Sequence, residues 1–138
     1  MLLLLTLFLG TVGFFAFAPH ETDAVSTPVA EKQAFNSISP AEARKMMANR
    51  QDLVFLDVRT PQELKSEGGI QGSMLVPFWA VMQNKLNIPR DKPILLVCAV
   101  GGRSYAAGQM MVRHGYQEVY NLSGGLDAWK KQGLPIVR

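Results

Sequence analysis

Residues 93–97, Pro93-Ile94-Leu95-Leu96-Val97, are apolar without a break. A strand with one face in water alternates polar and apolar residues, whereas a strand apolar on both faces must be covered on both. Leu53-Val54-Phe55-Leu56, ending at Asp57, has the same character. Helix starts lie between such runs. Ser39-Pro40-Ala41-Glu42 and Thr60-Pro61-Gln62-Glu63 each set a hydroxyl at the N-cap, proline at the first helical position and Glu three residues after the cap. That order satisfies free helix N–H groups reciprocally. Buried strands separated by helices predict an α/β fold of three layers, α/β/α, around a central, mostly parallel sheet.

The remaining elements follow from their punctuation. The first helix is expected to run to about Asn49, and Gly68-Gly69 breaks the second. Met74-Leu75-Val76 reads as a short strand stopped by Pro77, and Phe78 to Lys85 as a helix. Ser104 to Arg113 reads as a helix closed by His114-Gly115, with glycine in the left-handed terminal position. Glu118 to Asn121 is the last strand expected, and Gly125 to Lys131 the last helix.

A chain of 138 residues, 48% hydrophobic, suffices for one core. Met1 to Ala18 is almost wholly apolar and lacks a charged side chain, and no Lys or Arg precedes Lys32. Ala16-Phe17-Ala18 resembles a small-x-small cleavage site, with Thr22-Asp23-Ala24 as its rival. Residues 1–24 are therefore expected to be a signal peptide or membrane anchor, 25–34 a linker and 35–138 the folded domain. This organisation predicts an exported protein, periplasmic or otherwise extracytoplasmic, or one anchored to the membrane by residues 1–18. The net charge of +3 is scattered, without the basic and aromatic interleaving of a nucleic-acid surface. It suits small anions, and no nucleic-acid partner is expected. One cysteine excludes an internal disulfide. His20 and His114 lie far apart, so neither a metal nor a cofactor is expected.

Cys98 is that single cysteine, read as the last residue of the buried strand. Ala99-Val100-Gly101-Gly102-Arg103 is too glycine-rich to extend it. A thiol at a strand-to-helix turn meets free N–H groups and the positive end of the helix dipole, which favour the nucleophilic thiolate. Gly101 and Gly102 permit the positive φ needed for the amides of Ala99 to Ser104 to curl into an anion-binding nest. Arg103 can fork two hydrogen bonds onto an oxyanion, and Ser104 can cap the helix and donate into the loop. Asp57 also ends a strand, so it shares the carboxyl edge where α/β sheets bind ligands. Asp57 and Arg59 are expected to support that edge, through loop amides or a carboxylate–arginine pair, rather than to do chemistry. Trp129, Met46, Met47, Met110 and Met111 read as packing residues, as do Phe78 and Trp79 in preference to lining the pocket mouth after their strand, and Gly124-Gly125 reads as a tight turn. An inert buried thiol is the bland role for Cys98; the Gly-Gly-Arg-Ser context argues against it.

Three segments together resemble a single rhodanese domain from about Phe35 to Val137. The first is Leu56-Asp57-Val58-Arg59-Thr60-Pro61-Gln62-Glu63 with Gly69-Ile70-Gln71-Gly72-Ser73 and Val76-Pro77. The second is Cys98 to Ser104, and the third Asn121-Leu122-Ser123-Gly124-Gly125-Leu126-Asp127-Ala128-Trp129 with Gly133-Leu134-Pro135. Gly68-Gly69-Ile70 departs from the family's usual Gly-His-Ile, and Glu63 sits one residue farther upstream than usual. The resemblance implies a sulfurtransferase in which Cys98 takes the outer sulfur of thiosulfate or a similar small anionic donor and passes it to cyanide, a thiol or a protein acceptor. Two alternatives remain: a non-enzymatic sulfur carrier, relay or sensor, and a cysteine phosphatase. Phosphatase loops of this kind place five residues between Cys and Arg, whereas Ala99-Val100-Gly101-Gly102 makes four.

Overall fold

The computed structural model describes residues 34–138. The export and anchoring expectations for residues 1–24, and all but the end of the linker, lie outside them. The chain runs β1 (Ala34–Ile38), α1 (Pro40–Asn49), β2 (Val54–Asp57), α2 (Pro61–Glu67), β3 (Met74–Leu75), α3 (Phe78–Met82), β4 (Pro93–Val97), α4 (Gly102–Arg113), β5 (Glu118–Leu122) and α5 (Gly125–Lys131). Among the described residues five strands form one sheet in the order β1-β5-β4-β2-β3, and its pairings are all parallel.

β4 is buried along its whole length at the centre of the sheet. Successive side chains alternate between faces. Ile94, Leu96 and Cys98 therefore join Leu56, Val58, Val81, Ala107 and Met111 on the side covered by α3 and α4. Leu95 and Val97 join Phe55, Ala43, Leu126 and Trp129 on the side covered by α1 and α5. The three-layer α/β/α arrangement follows directly. The register sets Asp57 beside Val97, so Asp57 and Cys98 both arrive at the carboxyl edge.

Both capping boxes form. Ser39 and Thr60 accept from the amides of Glu42 and Glu63, whose carboxylates accept in return from the cap amides. Several expectations need correction. The sequence pattern does not predict β1 as a strand; its polar centre, Asn36-Ser37, is tolerated because among the described residues it is an edge strand paired only with β5. α3 ends at Met82 because Asn84 adopts a positive φ of 53°. β3 stops at Leu75, β4 stops at Val97 and α4 begins at Gly102, so Cys98 opens the loop and Ser104 lies inside the helix. Trp79 is not packed: it is 60% exposed, whereas Phe78 packs against the core.

Candidate active site

β4 delivers Cys98 to the sheet edge, and α5 shapes the loop that follows. The amides of Leu126 and Asp127 donate to the carbonyls of Cys98 and Ala99 at 2.8 and 3.0 Å. A trans peptide sets C=O and N–H on opposite sides. Tying the Ala99 carbonyl to α5 therefore turns the next amide, that of Val100, toward the sulfur. Gly125 makes this approach feasible: a Cβ there would lie 2.4 Å from the Cys98 carbonyl oxygen and 2.7 Å from that of Ala99. The expected tight turn at Gly124-Gly125 thus also grips the cysteine loop, with φ of 72° and 59°.

The Gly101 amide donates to Cys98 Sγ at 3.0 Å. Its φ of 97° is the left-handed geometry that the curl requires. Gly102 differs from expectation: it is the first residue of α4 and does not use a positive φ. Gly101 is the N-cap, with no side-chain cap, so Ser104 does not cap α4 as expected. Ser104 Oγ instead lies 3.3 Å from Cys98 Sγ, 3.2 Å from the Gly101 carbonyl oxygen and 2.6 Å from Asn121 Oδ1. A hydroxyl has one hydrogen, so these three acceptors compete for it. Asn121 is held in turn by Nδ2 donating to Ser37 Oγ at 3.0 Å.

Burial is the largest influence on the thiol and pushes its pKa up. Hydrogen bonds from the Ser104 hydroxyl and from the amides of Ser104, Gly101 and Val100 act the other way and prevail, holding Cys98 below the ordinary thiol range. The residue is 1% exposed, so a reactant must enter the loop to reach sulfur. Val100, 66% exposed, and Gly102 lie on the outside of that loop, while Ala99 is half-buried. Cys98 is thus buried, but with its donors aimed at it, unlike an inert core thiol.

Arg103 does not project freely. Its Nη1 donates to Glu63 Oε2 at 2.9 Å and its Nη2 to Glu63 Oε1. The fork expected to receive an oxyanion is therefore filled by a carboxylate. Arg103 lowers the Glu63 pKa to about 2, against a smaller upward push from burial, and Thr60 bonds add to the lowering.

Asp57 and Arg59 form a buried ion pair, 1% and 0% exposed. Arg59 Nε donates to both Asp57 oxygens at 3.0 Å, and Nη2 donates to Oδ2 at 2.7 Å and to the Gly68 carbonyl at 2.7 Å. Burial disfavours the guanidinium cation, and the Asp57 carboxylate outweighs it. Arg59 Nη1 is buried without a partner among the described residues. The pair ties β2 to the end of α2; no hydrogen bond links it to Cys98. Among the described residues no group of His, Cys, Asp and Glu side chains could hold a metal ion.

Nothing in the sequence pattern marks Glu63, Asn121 or Ser37 as site residues. Asn121 pairs in register with Leu96, two residues before Cys98, so the sheet edge carried its signal. Glu63 meets Arg103 across forty positions of sequence, and no local pattern shows such a pair.

A family model described as Rhodanese-like domain matches residues 39–132, from the cap of α1 to the end of α5. A sulfurtransferase of Allochromatium vinosum is 34% identical over 102 residues, 74% of this chain and 94% of that protein. Thiosulfate sulfurtransferase GlpE of Pseudoalteromonas translucida is 31% identical over 97 residues, 70% of this chain and 90% of the relative. The solution structure of the polysulfide-sulfur transferase homodimer from Wolinella succinogenes is 28% identical and superposes with a TM-score of 0.63, covering 78% of this chain and 80% of that one. With this match running through every helix that frames the cysteine loop, the chain belongs to the rhodanese-like domain family.

Proposed function

We propose that this chain is a sulfurtransferase working through a persulfide on Cys98. The Sγ thiolate attacks the outer sulfur of thiosulfate; a new S–S bond forms, the donor's S–S bond breaks and sulfite leaves with the electron pair. Cyanide or a thiolate then attacks the outer sulfur of the persulfide, and the Cys98 thiolate is regenerated as leaving group. Charge balances at each step without a general base, and covalent transfer divides one displacement into two. The observation that carries this reading is the donor set on the sulfur: the Gly101 amide at 3.0 Å and Ser104 Oγ at 3.3 Å. The same donors can hold the negative charge that moves to the outer sulfur. The names of the Allochromatium and Pseudoalteromonas relatives support the reaction class.

Cys98→Ser is expected to abolish thiosulfate:cyanide sulfur transfer and to leave the melting temperature near wild type. Retained turnover would refute the assignment. Our reading includes export, with residues 1–24 as signal peptide or anchor, on the strength of the almost wholly apolar, uncharged side chains of Met1 to Ala18. Cell fractionation tests it: recovery of the intact chain in the cytosol would contradict it.

A further inference from the structure

Arg103 is the only charged side chain between Cys98 and Ser104, and its hydrogen-bonding fork is already occupied. The occupant is not a loose surface carboxylate. Glu63 Oε2 also accepts from the Thr60 amide and hydroxyl, both at 3.0 Å, so α2's cap fixes the carboxylate before Arg103 meets it. Both side chains are partly shielded, 26% exposed for Glu63 and 35% for Arg103. Arg103 in turn stands in the first turn of α4, directly after the loop that Cys98 opens. An anion entering the loop therefore meets a cation that is already neutralised, and must compete with a carboxylate anchored from its other side. A neutral reactant faces no such competition.

We propose that Glu63 is a specificity-determining residue, competing with a reactant's anionic group for Arg103 and so reducing the site's preference for anionic over neutral reactants. For sulfur transfer, this rests on the function proposed above and makes Glu63 a brake on doubly charged donors such as thiosulfate.

Glu63→Gln isolates the effect. Gln serves the capping box as Glu does, so α2 keeps its start while the negative charge is lost. Because Cys98 is the only cysteine, its alkylation by iodoacetate, an anion, and by iodoacetamide, its neutral counterpart, reads anion preference without sulfur chemistry. The iodoacetate-to-iodoacetamide rate ratio is expected to rise about tenfold in Glu63→Gln, and the thiosulfate KM to fall by a similar factor. Asp91→Asn makes the same change in net charge at an exposed turn before β4 and is expected to leave the ratio alone. An unchanged or lower ratio in Glu63→Gln, or an equal rise in Asp91→Asn, overturns the proposal. Should Glu63→Gln fail to fold, Glu63→Asp decides: it keeps the charge but withdraws it from Arg103, and a ratio no higher than wild type overturns the proposal. A raised ratio in a protein that takes no sulfur from thiosulfate would uphold the competition and reject the sulfurtransferase reading. Sulfur uptake with an unmoved ratio would do the reverse.

Discussion

Cys98 is a buried thiol whose hydrogen bonds outweigh its burial, and of these the one from the Ser104 hydroxyl lowers its pKa most. Ser104→Ala removes one donor and leaves the amides in place. The Cys98 pKa is expected to rise, read from the pH dependence of iodoacetamide alkylation. No rise would mean that Ser104 gives its hydrogen to Asn121 in the thiolate state as well. Arg59 poses the opposite case, a buried charge whose removal strands its partner. Arg59→Ala leaves Asp57 uncompensated and is expected to cost about 3–5 kcal/mol in urea unfolding. A loss below about 1 kcal/mol would show that water reaches Asp57. Cys98, Gly101 and Arg103 were legible in the sequence because one short segment holds a lone thiol, glycines and a fixed charge. Arg103's actual partner was not, since ion pairs across forty residues leave no periodic trace.

Elements decide which way the loop amides face. α5 is only seven residues long, yet its first turn anchors the carbonyls of Cys98 and Ala99. Gly125→Ala would drive a methyl group into both carbonyl oxygens at a φ of 59°. Sulfur transfer is expected to fall at least about tenfold while α5 still forms, because the displacement falls on the loop that holds the transition-state charge in the proposed reaction. Near-wild-type turnover would show that α5 does not set the loop. Gly108 tests packing alone. A Cβ there would lie 2.3 Å from Phe35 Cε2. Helix propensity favours alanine by about 1 kcal/mol, and overpacking costs about 1–3 kcal/mol, so Gly108→Ala is expected to destabilise slightly. A clear gain in melting temperature would place β1 in looser contact with α4. The capped helices and apolar central strands were readable because each carries its own signal. β1 was not, because a five-residue edge strand with two polar centres acquires its identity from β5.

Across the molecule, the parallel order β1-β5-β4-β2-β3 gathers the site from separated parts of the chain: Glu63 from α2, Cys98 after β4, Ser104 from α4, Asn121 from β5. The architecture was legible because fully apolar strands demand cover on both faces. The convergence of side chains was not, because strand order is fixed by tertiary packing. The Glu63–Arg103 link couples this assembly to acid. The folded-state pKa of Glu63 lies near 2, against an ordinary 4.5, so its stabilising contribution is complete above pH 4.5 and is lost as pH falls toward 2. Glu63→Gln is expected to flatten the stability curve over that window, measured by urea unfolding at stepped pH. An unchanged slope would mean that the pair adds nothing to the folded state.

The claim on which all of this turns is that the amide-lined loop keeps Cys98 ionised and accepts one further sulfur there. Intact mass after brief exposure to thiosulfate tests it most directly. A gain of about 32 Da, one sulfur atom, reversed by cyanide and absent in Cys98→Ser, is expected. A folded wild-type protein whose mass does not change, or a gain that persists in Cys98→Ser, would contradict it.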